Sequence, residues 1–380
     1  MTAPPGVDLV ELAWATAVRP LARPLQVGPL VVASREYCCV RATTASGAHG
    51  ECVVLTRGLD VGGAIERLVA PRVLDAVDRP AALAGLRVAL RNVGWDGPIS
   101  RAAGAVALAA LDAEARAQGR PVWSLLGADV PPAHDAVVVL GYTPVGADPG
   151  ETELADAVRA AEAGVRCVKL MGGFGGPARD LARVARLEQA VGDSCRVGLD
   201  VNGGWSRAEA QEALPRLARD TVAFVEEPWP FELGLEGFDG LPAERPPLAV
   251  GEICSSVVEL QAMAATGEVA LLRADATLLG GAEPWLRAVG TAEAHGAAAF
   301  PHFWAEVHRH LMAGCMRRGL VEIGVPGGGE FGLDGLVAGL AVPAGGEIVA
   351  PAAPGFGFEL DWDAIEAAAD PPRVARASAT

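Results

Sequence analysis

Three carboxylates close three consecutive apolar segments of the sequence. Asp200, Glu226 and Glu252 each end a short, largely β-branched run, and they are evenly spaced along the chain. If these runs are neighbouring parallel strands, their carboxyl ends meet, and three unpaired carboxylates crowded there would repel one another. A divalent cation removes this conflict, because carboxylate oxygens are hard ligands that suit Mg²⁺. We therefore expect a Mg²⁺ site here, the alternative being separate capping or ion-pairing carboxylates.

Lys169, Asp275 and His302 end three further apolar runs. Lys169 is the only lysine in the chain. A GC-rich coding bias that replaces lysine with arginine explains the many arginines, but not the one lysine that remains. A strand-end lysine reaching for water and a histidine packed in an apolar run are the structural alternatives. If the fold brings the three residues together, they become candidates for proton transfer.

The elements that must position these residues alternate in type from about residue 135. Seven β-branched runs, separated by stretches of helical pattern, are 136–140, 166–171, 196–200, 222–226, 247–252, 269–275 and 297–302. Alternation of this kind predicts parallel βα units. In a barrel, the carboxyl ends of such strands converge on one mouth. We predict an α/β protein with a (β/α)7-8 TIM-like barrel over residues 131–340.

The N-terminal third has a different pattern and predicts an α+β capping domain over residues 1–130. Strands are expected at 30–33, 37–42 and 52–55, and residues 61–120 are helical in pattern. The C-terminal tail of about residues 340–380 is expected to pack back on this domain. Residues 18–24 are expected to form a capping-domain loop that takes part in substrate selection.

Composition narrows the functional class. The chain has 380 residues and a formal net charge of -16, which disfavours nucleic acid as a partner. It lacks an apolar stretch long enough for a membrane span, and acidic residues near the N-terminus argue against a secretory signal. The cysteines show no metal-binding or disulfide spacing. These features predict a cytoplasmic protein whose partner is a small molecule.

Six segments resemble the enolase superfamily, specifically its mandelate racemase-like group. They are Cys167-Val168-Lys169-Leu170-Met171, Leu199-Asp200-Val201-Asn202-Gly203-Gly204-Trp205, Phe224-Val225-Glu226-Glu227-Pro228, Val250-Gly251-Glu252, Asp275 to Gly281 and Pro301-His302-Phe303. The match runs over nearly the whole chain. It implies that Asp200, Glu226 and Glu252 bind Mg²⁺, which stabilises the enediolate formed when a proton α to a carboxylate leaves. It also implies an Asp275–His302 dyad with His302 as acid or base.

The sequence departs from this family at Met171. Racemases of the group carry Lys-x-Lys on the second barrel strand, and a thioether cannot transfer a proton. Members that use a second lysine near the end of the sixth strand are also excluded, because the aligned residues 276–279 contain none. Lys169 is then expected to give electrostatic assistance. What remains is one-base chemistry, with syn dehydration of a hydroxy acid or acid sugar by His302 as the preferred hypothesis.

Further residues are candidates for substrate binding. Glu322, on the eighth strand, matches a position of the family that hydrogen-bonds the reacting carboxylate. Tyr142, just past the first strand, and Asn202 are candidate substrate contacts, and a structural phenol is the alternative for Tyr142. His308 and His310 are expected to be carried away from the mouth as surface or packing residues. Two alternatives stay open: a metal- and carboxylate-binding member with lost or repurposed catalysis, and a one-base isomerase or racemase. Family members are usually homo-oligomers, so we expect one here.

Overall fold

The computed structural model describes residues 6–27, 30–147, 150–218, 220–369 and 372–378. An antiparallel sheet with helices precedes a nearly closed barrel of eight parallel strands. The predicted fold class is therefore confirmed. None of the helices in the described ranges is both long and apolar enough to cross a membrane.

The N-terminal sheet is built from long strands that pair in chain order. They are β1 (Leu9–Val27), β2 (Leu30–Thr44) and β3 (His49–Leu55). The prediction of a loop over residues 18–24 was wrong, because these residues lie within β1. Pro20 and Pro24 break the strand pattern in the sequence, and the pairing with β2 is indeed shifted between Pro20 and Leu25. An irregularity of this kind lets a strand carry proline without a missing ladder bond.

Helices cover one face of this sheet. They are α1 (Val61–Ala64), α2 (Ala70–Leu74), α3 (Arg79–Ala84), α4 (Leu86–Ala89), α5 (Gly97–Ala117) and α6 (Val122–Leu125), with a π-helical turn at Ile65–Val69. The long helix α5 is rich in alanine and packs closely on β3. A Cβ atom at Gly50 would lie 2.0 Å from the backbone nitrogen of Ala113. Small residues on both elements therefore allow this close approach.

The barrel follows in regular βα order. Its elements are β4 (Ala133–Leu140), β5 (Thr143–Pro144), α7 (Gly150–Glu162), β6 (Cys167–Met171), α8 (Pro177–Val191), β7 (Arg196–Asp200), α9 (Arg207–Ala213), β8 (Val222–Glu226), β9 (Leu248–Val250), α10 (Val257–Ala265), β10 (Val269–Leu272), α11 (Ala276–Leu279), α12 (Ala282–Ala294), β11 (Ala298–Ala299), α13 (Ala305–Leu311) and β12 (Leu320–Ile323). The parallel strands lie in the order β11-β10-β9-β8-β7-β6-β4-β12. The short β5 instead pairs with β1 of the N-terminal sheet.

The barrel interior below the mouth is packed with side chains. Phe224 and Phe300 meet edge to face with ring centroids 5.1 Å apart. Gly198 on β7 leaves room for this pair, because a Cβ atom there would lie 2.3 Å from the Phe224 ring. The barrel is thus a closed core and not a channel, and its open end is the mouth where the strands finish.

Three strands end earlier than the sequence predicted. The apolar runs at 247–252, 269–275 and 297–302 continue past the last paired residues, Val250, Leu272 and Ala299. Their final residues leave the sheet at the mouth and are held by other contacts. Asp275, for example, caps α11 by accepting a hydrogen bond from the backbone nitrogen of Thr277. Chemically important residues therefore lie just beyond the strands and not within them.

The C-terminal segment returns to the N-terminal domain. It contains β13 (Val337–Ala338), β14 (Glu347–Val349), β15 (Glu359–Leu360), α14 (Trp362–Ala367) and β16 (Arg373–Arg376). Strand β16 pairs antiparallel with β1. The buried Glu51 carboxylate accepts hydrogen bonds at 2.7 Å from both the backbone nitrogen of Leu360 and the indole of Trp362. A buried carboxylate with several donors is a strong tether between the tail and the sheet.

Candidate active site

Three buried carboxylates lie together at the barrel mouth. Asp200 ends β7, Glu226 ends β8, and Glu252 lies two residues beyond β9. Parallel pairing sets Asp200 directly beside Glu226. One oxygen from each of the three side chains lies within 4.8 Å of the others, so the group could hold a metal ion. The structure thus places the three predicted ligands in one cluster.

The electrostatics of this cluster fit a bound cation. Asp200, Glu226 and Glu252 are at most 3% exposed. Burial raises the pKa of Glu226 and of Asp200, because a carboxylate is costly to ionise away from water. A divalent cation supplies positive charge at the point where these oxygens converge. The donor set is made of hard oxygens only, which suits Mg²⁺.

Lys169 contacts three carboxylates at once. Its Nζ lies 2.7 Å from Glu322, 3.0 Å from Glu226 and 3.1 Å from Asp200. Burial alone would lower the pKa of this lysine, but the neighbouring carboxylates outweigh burial and raise its pKa well above the ordinary value. Lys169 is therefore held as a buried cation between these carboxylates.

Arg273 is a residue of the site that the sequence analysis missed. Its Nε lies 2.9 Å from Glu226 Oε1, and its Nη2 lies 2.8 Å from Glu322 Oε2. Its Nη1 donates to the carbonyls of Phe300 and Pro301, the two residues before His302. The signal was present, because an arginine directly after a buried strand needs a carboxylate partner. In the sequence, however, Arg273 lies within an apolar run, which hides this signal.

His302 and Asp275 form a hydrogen-bonded pair. The imidazole Nδ1 lies 3.0 Å from Asp275 Oδ2. Its Nε2 faces the carboxylate cluster and lies 3.9 Å from Glu252 Oε2. The second oxygen of Asp275 accepts from the backbone and hydroxyl of Thr277 at 2.8 and 2.7 Å. Burial opposes ionisation of Asp275, but the hydrogen bond from His302 and smaller effects outweigh burial. The pKa of Asp275 is therefore lowered. An ionised Asp275 can hold a proton on Nδ1 and leave Nε2 free to exchange one.

His308 and His310 are packing residues, but His308 is not carried away from the mouth. It lies in α13 with its Nε2 3.9 Å from Asp275 Oδ1. The Nε2 atom accepts a hydrogen bond from the backbone nitrogen of Ala276, and Nδ1 lies 2.9 Å from the carbonyl of Phe303. Burial lowers the pKa of His308. It is therefore a neutral histidine that supports the turn behind Asp275.

The three predicted substrate contacts are not equivalent. Glu322 joins the central cluster through Lys169 and Arg273, and it also accepts a hydrogen bond from the backbone of Phe303. Asn202 is near the carboxylate cluster, with its side-chain nitrogen Nδ2 3.4 Å from Glu252 Oε1. Tyr142 packs against the ring of Phe331, and the charges of Lys169, Glu322 and Asp200 act on its phenol. Glu322 and Asn202 thus contact residues of the cluster directly, whereas Tyr142 lies within electrostatic range of them.

Met171 lies in an apolar cluster at the edge of the mouth. It is 5% exposed and packs with Leu25, Val27 and Val139, with Tyr142 at the periphery. Two of these residues belong to β1, the strand that the sequence analysis missed. The position that carries a lysine in racemases of the resembling group therefore faces an apolar lining contributed by the N-terminal domain.

Glu227 is a second residue that the sequence analysis left without a role. Its Oε1 accepts hydrogen bonds from the backbone nitrogens of Gly251 and Glu252 at 2.6 and 3.1 Å. Burial raises the pKa of Glu227 to about 8. Glu227 thus fixes the turn that presents Glu252 to the cluster. Its position directly after Glu226, in a Glu-Glu-Pro sequence, was the available signal.

Strained backbone is concentrated at this end of the barrel. Among the described residues, five that are not glycine adopt a left-handed φ: Arg57, Asn202, Glu227, Phe303 and Trp304. Such conformations cost about 1–3 kcal/mol each and persist only where the surrounding structure enforces them. Four of the five lie within two residues of Asp200, Glu226 or His302, and Arg57 lines the pocket at the same mouth from the N-terminal domain.

An antiparallel capping sheet, a parallel barrel and an acidic cluster at the strand ends that could hold a metal ion define a barrel protein of the enolase type. Comparison with known families agrees. Residues 153–364 match the enolase C-terminal domain-like family, and residues 10–127 match the mandelate racemase / muconate lactonizing enzyme N-terminal domain. The chain belongs to the mandelate racemase / muconate lactonizing enzyme family of the enolase superfamily, as its sequence motifs suggested.

Individual relatives have several activities. L-talarate/galactarate dehydratase of Salmonella typhimurium is 29% identical over 58% of this chain, and the alignment spans 55% of that protein. Muconate cycloisomerase 1 of Rhodococcus opacus is 30% identical over 91% of this chain and 94% of its own length. L-talarate dehydratase of Polaromonas sp. JS666, solved with Mg and L-glucarate, superimposes with a TM-score of 0.84 at 23% identity, over 98% of this chain and 100% of that one. The relatives include dehydratases and cycloisomerases.

Proposed function

We propose that the protein is a Mg²⁺-dependent lyase that dehydrates a hydroxy acid or acid sugar. His302 removes the proton α to the substrate carboxylate and then protonates the departing β-hydroxyl on the same face. Asp200, Glu226 and Glu252 hold the metal ion. When bound, Mg²⁺ would withdraw electron density from the substrate carboxylate and so favour loss of the α-proton. Water leaves, and because the α-carbon of the substrate also carries a hydroxyl group, the product is an enol that tautomerises to a 2-keto acid.

The His302–Asp275 pair is the observation that carries this proposal. His302 Nε2 faces the carboxylate cluster and lies 3.9 Å from Glu252, and His302 Nδ1 is held at 3.0 Å from Asp275. A substrate carboxylate at the metal would bring its α-carbon beside Nε2. One base that first accepts and then donates a proton is sufficient for syn elimination.

The other ionisable groups of the mouth favour the same assignment. Lys169 and Arg273 are held by Glu226 and Glu322, so both are fixed positive charges that offset the charge developing on a substrate carboxylate. Met171 cannot act as a second base. Two-base racemisation and lysine-dependent cycloisomerisation are therefore disfavoured, although the relatives include an epimerase and a cycloisomerase.

Relatives support the metal and the substrate class. The Polaromonas dehydratase was solved with Mg and L-glucarate, and the Salmonella relative is named for dehydration of two acid sugars. The alignment with the Rhodococcus cycloisomerase, in contrast, covers 91% of this chain. Residues of the site therefore decide between these activities better than overall similarity does.

A dehydration screen tests the proposal. Aldonic and aldaric acids would be incubated with the protein and Mg²⁺, and 2-keto acid formation followed as the semicarbazone. We expect one or a few acids to react, EDTA to abolish the reaction, and His302→Asn to reduce it at least about 10³-fold. His310→Asn is the matched control, since that histidine is buried away from the cluster and contacts Phe356.

The alternatives predict different outcomes of the same experiment. If unreacted substrate gains solvent deuterium at the α-carbon without dehydration, the protein is a one-base isomerase or exchange catalyst. If Mg²⁺ binds but no acid reacts or exchanges, and Met171→Lys brings no gain, the protein is a binding member without turnover. Either result would overturn the dehydratase assignment.

A further inference from the structure

A small pocket beside His302 is shared by the barrel and the N-terminal domain. The barrel contributes Glu252, Asp275 and His302 to its wall, and the N-terminal domain contributes Arg57 and Arg101. Arg57 follows β3 by two residues, and Arg101 lies near the start of α5. Two guanidinium groups therefore line the same pocket as the proposed base.

Arg101 lacks a carboxylate partner among the residues that the structure describes. Its Nη1 donates to the carbonyl of Gly97 at 3.0 Å, but its buried Nε has no hydrogen-bond partner. Burial lowers the pKa of Arg101, Asp275 partly offsets this effect, and Arg57 adds to it. A guanidinium that is partly desolvated, and that has a second one nearby, attracts an anion.

Arg57 is an exposed residue that lines this pocket, and its backbone is strained. Its φ is +54°, in the left-handed region that favours glycine. It forms no ion pair with any residue in the described ranges, in contrast to Arg41, which is bonded to Glu51 in the same sheet. Strain at an unpaired charged residue beside a candidate active site is typical of a ligand contact.

The remaining walls of the pocket strengthen this attraction. They include the apolar side chains Val54, Leu278 and Phe303. Apolar walls lower the local dielectric, and charge interactions become stronger as the dielectric falls. The chain as a whole has a net charge of -16, so a positive wall here is a local exception that would attract an anionic ligand.

From this geometry we infer that Arg57 and Arg101 bind a second anionic group of the substrate, which makes the preferred ligand a dicarboxylic acid sugar. One carboxylate of the ligand binds at the metal site formed by Asp200, Glu226 and Glu252. The carboxylate at the other end of the ligand reaches the two arginines along the pocket that His302 lines. The inference rests on the proposed function for the place of the first carboxylate. The competing explanation is that the arginines only balance the charges of Glu252 and Asp275.

Matched ligands separate these explanations. Galactarate and galactonate share a carbon skeleton and differ only in whether the far end is a carboxylate, and glucarate and gluconate form a second pair. Their dissociation constants would be measured calorimetrically with Mg²⁺ present, in a His302→Asn background that prevents turnover. We expect at least one diacid to bind about 10-fold or more tightly than its monoacid, since hydrogen bonds to charged groups are worth that much. 6-Phosphogluconate tests whether the second anion is a phosphate.

Substitutions then link the preference to the arginines. Arg57→Gln and Arg101→Gln are each expected to reduce the ratio of monoacid to diacid dissociation constants about 10-fold, and Arg101→Lys is expected to retain part of it. Arg91→Gln is the control, because Arg91 is exposed on the same domain and contacts only the carbonyl of Val88 in the described structure. Thermal melting of each variant verifies that it is folded.

Several results would overturn the inference. It is contradicted if diacids bind no more tightly than monoacids, or do not bind at all. Tighter binding of 6-phosphogluconate than of glucarate would contradict it as well. A preference for diacids that survives both Arg57→Gln and Arg101→Gln would also contradict it. If the arginines only balance charge, both ligands of a pair weaken by the same factor. A diacid preference without any dehydration would instead contradict the proposed function and leave this inference standing.

Discussion

Arg273 Nε lies 2.9 Å from Glu226 Oε1, and both side chains are completely buried. This contact joins the sixth strand of the barrel to a candidate metal ligand on the fourth. The same guanidinium reaches Glu322 on the eighth strand, so one arginine links three parts of the mouth. Its charge allows several carboxylates to remain close together in a region that water does not reach.

Removal of this guanidinium should destabilise the protein strongly. Arg273→Met leaves Glu226 and Glu322 with one positive partner fewer, and breaking a buried pair in this way costs about 3–5 kcal/mol. Urea unfolding measures the change. Arg287→Met is the control, since Arg287 and its partner Glu283 are exposed, and its loss should cost less than about 1 kcal/mol. Similar effects of the two substitutions would show that the buried cluster is not stabilised by Arg273.

Asp275→Asn should reduce catalysis without unfolding the protein. The amide is neutral and can offer a hydrogen to His302 Nδ1, which would favour the wrong imidazole tautomer. We expect kcat/KM for dehydration to fall about 10- to 100-fold, as is usual when such an orienting partner is lost. Thr277→Val is the comparison, because Thr277 binds only the other oxygen of Asp275. An equal loss in both variants would argue against a specific orienting role.

Met171→Lys should not restore a second base. The side chain is 5% exposed and packs against Leu25, Val27 and Val139, so an ammonium group there would lose its hydration. We expect a loss of unfolding free energy of about 2–4 kcal/mol and no stereochemical inversion of the substrate. Met171→Leu keeps the volume and should cost less than about 1.5 kcal/mol. A stable lysine variant with racemase activity would contradict this reasoning.

His310 should make the protein less stable in mild acid. Burial lowers the pKa of His310 to about 3, while its backbone contacts with Trp123 and Phe356 use both ring nitrogens. The folded state then binds fewer protons than the unfolded state below about pH 6.5, so stability is lost as the pH falls toward 3. Between pH 6.5 and 5, His310 should lower the free energy of unfolding by about 2 kcal/mol.

Urea unfolding of His310→Gln at the same two pH values checks this prediction. Glutamine does not titrate in this range, so the unfolding free energy of the variant should depend less on pH by about the same 2 kcal/mol. An unchanged pH dependence would mean that other groups, such as the buried His134, account for the acid sensitivity.

The barrel and its acidic cluster could be predicted because their signals are local and repeated. Each strand is a short apolar run, and the polar residue that ends it falls at the mouth by the geometry of parallel βα units. Asp200, Glu226 and Glu252 were found in this way, and the structure brings them within 4.8 Å. The N-terminal strand β1 was missed because Pro20 and Pro24 resemble a loop signal, although an irregular pairing accommodates them.

The amino-acid sequence by itself determined the family, the kind of metal ligands and the lack of a second lysine, because these depend on residue type and order along successive strands. Only the tertiary structure decided which charges meet. Arg273 pairs with Glu226 and Glu322, His308 supports the turn behind Asp275, and Arg57 and Arg101 line the same pocket as His302. Electrostatic interactions depend on distance and burial, and residues far apart in the sequence acquire both only when the chain folds.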